Sequence, residues 1–243
     1  MKNVIRIIAA LLPLTSCYWS TIMAADFETI VLTDKIDHSE MPPEVRESIA
    51  NNKERQAKLM EREASRKKHL KKLRRIVNDT ESKGFAVVQD LGDSGYDNIS
   101  AMIHQPERQE PIRYGYNKAN LDTPAFDGGR LVAVQPLHED AGLSYQMLYA
   151  FEFDDLGTVV IDELNYINIP DARIVVNKPA GNLHINGYPA TYTAMKNRDG
   201  TKGMTGIIFY TENKLFSVTA LRCITRDDKE AFEHLVQVAS SLY

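Results

Sequence analysis

Cysteine is almost absent: 243 residues contain only Cys17 and Cys223. Cys17 lies within a leader-like segment, so no disulfide is expected inside the folded part, which must stand on its hydrophobic core. Long apolar runs are missing as well. A membrane-crossing helix takes ~20 apolar residues, and the early stretch Ile7–Leu14 is broken by Pro13 and followed by Thr15 and Ser16. HExxH and CxxC spacings, glycine loops of the P-loop or dinucleotide type, and repeats of 20–50 residues are likewise absent. Together these absences argue against classical metallohydrolase, nucleotide-binding and solenoid architectures.

What the N-terminus does contain is an export pattern. Lys2 and Arg6 precede the apolar IIAALLPL, the arrangement of a secretory leader. Two processing routes are open. Leu14-Thr15-Ser16-Cys17 has the form of a lipobox, which would make Cys17 a lipidated N-terminus, whereas Ile22-Met23-Ala24 before Ala25 and Asp26 suits ordinary cleavage. The expected location is the bacterial periplasm, either soluble or lipid-anchored at Cys17, with no transmembrane helix in the mature protein.

The expected organisation is a leader over 1–24, an extended lead-in over 25–43, a long basic helix over 44–79, and one α+β domain over 84–243. Ile30, Val31 and Leu32 are candidates for a short strand in the lead-in. Pro42 and Pro43 then introduce a run from Glu44 to Asn78 without Gly or Pro, and prolines suit a first helical turn. Between Glu44 and Ile76 there are twelve Lys or Arg against five Glu, a local excess of seven positive charges. With a net charge of −4 overall and two cations in the leader, the remainder carries −13. The chain is thus a basic arm on an acidic body.

The helix has a thin apolar stripe: Val45 and Ile49, then Leu59 or Met60, then Leu70, Leu73 and Val77. Its C-terminal part is expected to dock, its middle to be solvated. The cations Arg62, Arg66, Lys67, Lys68, Lys71, Lys72, Arg74 and Arg75 are the candidate partner-binding residues. They would meet an acidic envelope protein or an anionic lipid surface, where each cation contributes ~1 kcal/mol. Salt-laced solvation, with pairs such as Glu54 to Lys58, is the plainer reading. Export argues against nucleic acid outside a DNA-transfer machine.

After Gly84, placed to end the helix, strand patterns dominate: Phe85–Val88, Ile112–Tyr116, Arg130–Pro136, Leu143–Phe153, Thr158–Tyr166 and Ala172–Val176. Gly92–Gly95 reads as a turn and Asn98–His104 as a short helix. Toward the end, Tyr188–Met195, Met204–Thr211 and Leu215–Ile224 are rich in Tyr, Thr, Ile, Val and Phe and are joined by short polar turns, which predicts an antiparallel meander. Phe232, Leu235, Val236, Ala239 and Leu242 follow a helical period, with Thr225 and Asp228 spaced as a capping box. The fold class is therefore α+β: an antiparallel sheet with a packed C-terminal helix, preceded by the long basic helix.

The passage INGYPATYTAMKNRDGTKGMTGIIFYTENKLFSVTALRC, with a final helix ending in Ser240, Ser241 and Leu242, resembles the C-terminal half of the PsbP-like and DcrB-like fold group. The resemblance covers about the last sixty residues and rests on element order. It implies an antiparallel sheet between helices in an exported binding or assembly factor. The basic helix is not part of that pattern.

Signals for catalysis are sparse. Gly92-Asp93-Ser94-Gly95 looks like the serine motif of chymotrypsin-like proteases and the first block of SGNH hydrolases, but the partner blocks of both are missing. Cys223, placed in a strand, reads as a small buried hydrophobe. The six histidines, His38, His69, His104, His138, His184 and His234, are scattered. His138-Glu139-Asp140 is one local grouping, whose neighbours would point different ways. Asp154, Asp155, Asp162 and Glu163 read as a solvated rim. No catalytic residue, metal or cofactor is assigned. The expected function is a non-catalytic envelope accessory protein. Alternatives are a hydrolase using Ser94 or Cys223 with a histidine such as His184, or a component of a secretion or conjugation apparatus.

Overall fold

The computed structural model describes residues 29–31, 53–91, 112–137, 139–140, 143–167 and 175–243, with side chains at most positions from 67 onward. In chain order the elements are β1 (Thr29–Val31), α1 (Lys53–Lys83), β2 (Ala86–Val88), a 3-10 turn (Pro124–Phe126), β3 (Arg130–Pro136), β4 (Glu139–Asp140), β5 (Leu143–Ser144), β6 (Gln146–Phe153), β7 (Gly157–Asn165), β8 (Val175–Asn177), β9 (Leu183–Ile185), β10 (Tyr188–Asn197), β11 (Gly203–Tyr210), β12 (Lys214–Ala220) and α2 (Lys229–Ser241). The fold is α+β. The main sheet runs β2-β10-β11-β12-β7-β6-β3, with β9 also on β10. Every pairing in it is antiparallel except that of β2 with β10. β1 pairs with β8, and β4 with β5, as two separate ribbons.

Strand alternation gives the sheet two buried faces. One receives α2: Leu235, Val238, Ala239 and Leu242 pack with Tyr149, Phe151, Ile161, Tyr192, Ile207, Phe209, Phe216 and Val218. Phe209 and Phe216 stack at 5.1 Å between centroids, and Phe232 meets the Tyr192 ring edge-on. The other face receives the end of α1, whose Leu73 and Ile76 join Ala86, Val88, Met195, Met204 and Ile208. Gly84, at φ 81°, takes the left-handed conformation that ends α1 and turns the chain into β2.

The outer edge of β10 is closed by four different devices in succession. Ala190 lies opposite Leu183 of β9. Two residues on, the Asn182 amide serves as a surrogate strand: its Nδ2 donates to the Tyr192 carbonyl at 2.9 Å and its Oδ1 accepts the Tyr192 N–H at 2.8 Å. Two further on, the Thr80 hydroxyl of α1 donates to the Ala194 carbonyl at 3.2 Å and accepts its N–H at 3.3 Å. Lys196 then meets β2. Each backbone group on this buried edge needs a partner, and α1 is tied to the sheet by supplying one.

Several local readings need correction. α1 ends at Lys83, before the Gly84 expected to stop it and past the 44–79 span; its expected start near Glu44 lies outside the described residues, as do Gly92–Gly95 and Asn98–His104. The last strand stops at Ala220 rather than Ile224. There the Thr205 hydroxyl donates to the Arg222 carbonyl and accepts the Ile224 N–H at 2.7 Å, bending the chain off the sheet. Cys223 therefore sits after the strand, close against Gly203, where an added Cβ would meet its backbone nitrogen at 2.5 Å. Asp228 stands at the N-cap of α2 without a side-chain cap bond, because its carboxylate is taken by Arg222 at 2.9 Å. Leu143–Phe153 divides at Tyr145, and Ile112–Tyr116 contributes only a bridge between Tyr114 and Ser144.

Replacing Thr80 by Val keeps the shape and removes both bonds to Ala194. We expect a loss of about 1–3 kcal/mol in urea unfolding, with faster hydrogen exchange at the Ala194 amide. Thr80→Ser should stay close to the parent protein on both measures.

Candidate binding surface

The docking of α1 decides which of its side chains are available. Leu73, Ile76, Val77 and Thr80 are buried, and Leu70 is half-buried. Their spacing of three and four turns the intervening residues outward. Lys67, Lys68, Lys71, Lys72, Arg74 and Arg75 are all exposed. Six of the eight candidate cations thus share the outer side of the described helix; Arg62 and Arg66 lie on α1 with side chains outside the described residues. Toward its end the charge is locally balanced. Asp79 receives Lys83 at 2.7 Å and Arg75 at 3.5 Å, and the Lys83 hydrogen bond is the main cause holding its carboxyl below the usual range.

Groups with perturbed chemistry are natural candidates for catalysis. The acidic pair expected on a solvated rim behaves otherwise. Glu163 is fully buried on the α2 face, its Oε1 accepting from Lys214 Nζ at 2.8 Å and from the Ala119 N–H at 2.8 Å. Lys214 also donates to the Asn117 carbonyl at 2.6 Å and lies over the Tyr116 and Phe216 rings. Two charges buried together need such saturation, and removing one partner of a buried pair costs about 3–5 kcal/mol. The consequence is structural: the pair ties residues 117–119 to β7 and β12, next to the backbone bonds by which Arg113 and Gly115 meet Ser144. Asp154 and Asp155 are exposed, as expected of a rim.

Asp162 faces the other way, opposite Ser217 and Leu148 in register, with its Oδ1 accepting from Gln146 Nε2 at 2.8 Å. Burial pushes its carboxyl up to about 7; the Gln146 bond opposes the rise and the Glu163 charge adds to it. No nucleophile stands beside it among its hydrogen-bonded neighbours. Burial also raises the Cys223 thiol, against the depressed value an activated cysteine needs. His184 is exposed on β9, and among the described residues no hydrogen bond joins it to Cys223. Ser94 lies outside the described residues. His234 contacts Asp155 Oδ2 through Nδ1 at 2.7 Å and the Ala125 carbonyl through Nε2 at 3.1 Å, pinning α2 to the β6–β7 turn and the 3-10 turn. Among the described residues no three His, Cys, Asp or Glu side chains gather as metal ligands.

Sequence reasoning missed Glu163, Lys214, Thr80 and Asn182. An alternation count did carry a signal for the first: Glu163 falls in step with Val159 and Ile161, two residues of the α2-facing core. No protein-family model, curated protein or solved structure matches the chain.

The raised Asp162 carboxyl makes a pH prediction. The folded chain holds this proton more tightly than the unfolded one, so its contribution is complete below about pH 4 and is lost as pH rises through 7. Asp162→Asn keeps the Gln146 acceptor without the charge. Urea titrations should give equal stabilities for the two proteins near pH 4 and, at pH 8, an advantage for the variant on the order of 2–4 kcal/mol.

Proposed function

We propose that the protein is an exported, non-catalytic accessory protein of the bacterial cell envelope, which uses the outer face of α1 to engage an acidic protein or an anionic surface. The observation that carries this reading is the division of α1: an apolar edge committed to the sheet and six exposed cations directed away from it. A helix retained only for packing has no need of that excess, and its cations stand on a chain that is otherwise acidic. The leader pattern at Lys2, Arg6 and Ile7–Leu14 supports export, and Cys17 offers a lipid anchor as the alternative to a soluble form. No described helix is long and apolar enough to cross a membrane. A role within a secretion or conjugation apparatus differs only in the identity of the partner. The PsbP-like and DcrB-like resemblance fits the same reading at the level of element order.

The test is recovery of partners from crosslinked envelopes, with proteins and lipids both identified by mass spectrometry. Lys67→Gln, Lys68→Gln and Lys71→Gln combined should reduce recovery by roughly tenfold or more and flatten its salt dependence, while circular dichroism stays unchanged. Equal recovery by the neutralised protein would remove α1 as the interaction element.

A further inference from the structure

The sheet has two ends, and they are finished differently. At β3 the ladder is interrupted by an irregularity between Leu131 and Ala133 and closes at Pro136, features that blunt an edge. β2 has neither device. Its orientation follows from β10: Tyr192 and Ala194 direct their N–H and C=O groups to the outer side, where Asn182 and Thr80 meet them. Lys196, two residues further, does the same and lies opposite Val87. In a parallel ladder such a residue bonds to the neighbours of its opposite number, here Ala86 and Val88. The N–H and C=O of Val87 consequently point away from the sheet. The Val87 side chain is 45 % exposed.

A cleft of about 340 Å³ runs along this edge, lined by the consecutive residues 86–90 and by Ile76 of α1. Lys72 and Arg75 from α1 and Arg198 from the β10–β11 turn border it together with Asp90, and Arg75 also reaches Asp79 at 3.5 Å. A backbone pair without a partner among the described residues, an exposed valine and a cationic border are the parts of a strand-addition site: main-chain bonds give affinity, and alternate side chains give specificity.

We infer that this cleft binds an extended acidic peptide as an added strand on β2. The peptide exchanges two backbone hydrogen bonds with Val87, and its carboxylates face Lys72, Arg75 and Arg198. The inference deepens the binding reading above by naming an extended acidic segment as the partner, and it shares with that reading only the sign of the partner's charge. The cations, together with the shortness of β2, also suit plain protection of an edge, in which case no peptide is captured.

The probe is a short, end-capped, fluorescein-labelled peptide of alternating Glu and Val, titrated by anisotropy into the full chain. Saturable binding that weakens with salt is expected, together with slower hydrogen exchange at the Val87 amide. Val87→Pro removes the outward N–H along with the valine side chain and should weaken binding by about tenfold or more, as should N-methylation of alternate peptide residues on the unaltered protein. Arg198→Gln should weaken it several-fold. The N-methylated peptide keeps the test open if Val87→Pro misfolds. Absence of saturable binding overturns the inference. So does full affinity for the N-methylated peptide, which would mean attraction by charge alone. Only the strand site depends on peptide N–H groups and on Val87, whereas the α1 surface is read by recovery of partners with the neutralised protein, so failure of one and failure of the other give separate results.

Discussion

The structure depends on how the outer edge of β10 finds its hydrogen-bond partners. This strand is buried on both faces, so an unpaired N–H or C=O along it would cost a large part of a typical domain's margin of stability. A single long neighbour would be the simple solution. Instead β9, Asn182, Thr80 and β2 each cover about one repeat of the ladder. That patchwork has a structural consequence. Because Thr80 belongs to α1, the helix cannot leave the sheet without exposing Ala194, and its rotation about its own axis is fixed. The fixed rotation puts Lys67, Lys68, Lys71, Lys72, Arg74 and Arg75 outside. The orientation of the charged surface is thus set by a backbone requirement on the far side of the helix.

The ionisable groups divide along the same lines. Paired groups are fixers: buried Glu163 with Lys214 anchors residues 117–119, and at the surface His234 with Asp155 holds α2 against the β6–β7 turn. Their bonds use most of what these side chains can offer, which leaves little for a substrate. The cations from Lys67 to Arg75 on α1 are exposed instead, with Asp79 balancing the end of the run. On the proposed reading, such an exposed concentration of cations would make association sensitive to salt.

Much of the architecture was legible in the sequence because it rests on periodicity. The meander from Tyr188 to Ala220, the hairpin around Asp155, the closing helix and the docking of the end of α1 all announce themselves in the spacing of apolar residues. What was illegible came from side chains standing in for backbone. Thr205 ends the last strand early by accepting the Ile224 N–H, Asn182 and Thr80 replace strands on β10, and Arg222 takes Asp228 away from its capping role. Each is a contact between residues whose pairing leaves no periodic trace. Glu163 and Asp162 were read as rim because acidic neighbours beside a hairpin usually are; only the phase of the strand separates a buried carboxylate from an exposed one. The parallel placement of β2 was hidden for a related reason, since a three-residue strand carries too little pattern to specify its partner.

The short strand β2 links the two interactions proposed for this protein. Backbone edges are indiscriminate, because any extended chain carries matching donors and acceptors. An edge of one outward residue is too short to capture a chain strongly on its own, and it acquires selectivity from what stands around it. Lys72 and Arg75 project from the helix that Thr80 holds in place, and Arg198 from the turn that follows β10. They exclude basic segments and favour acidic ones, so the helix that advertises positive charge at long range also frames the place where a backbone could be read at short range. Electrostatic attraction would gather acidic segments along α1, and hydrogen bonding at Val87 would retain those that can lie extended. Neither element alone would discriminate well: the helix tolerates any polyanion, and the edge any strand. Their attachment through β10 makes the two requirements coincide in one stretch of polypeptide.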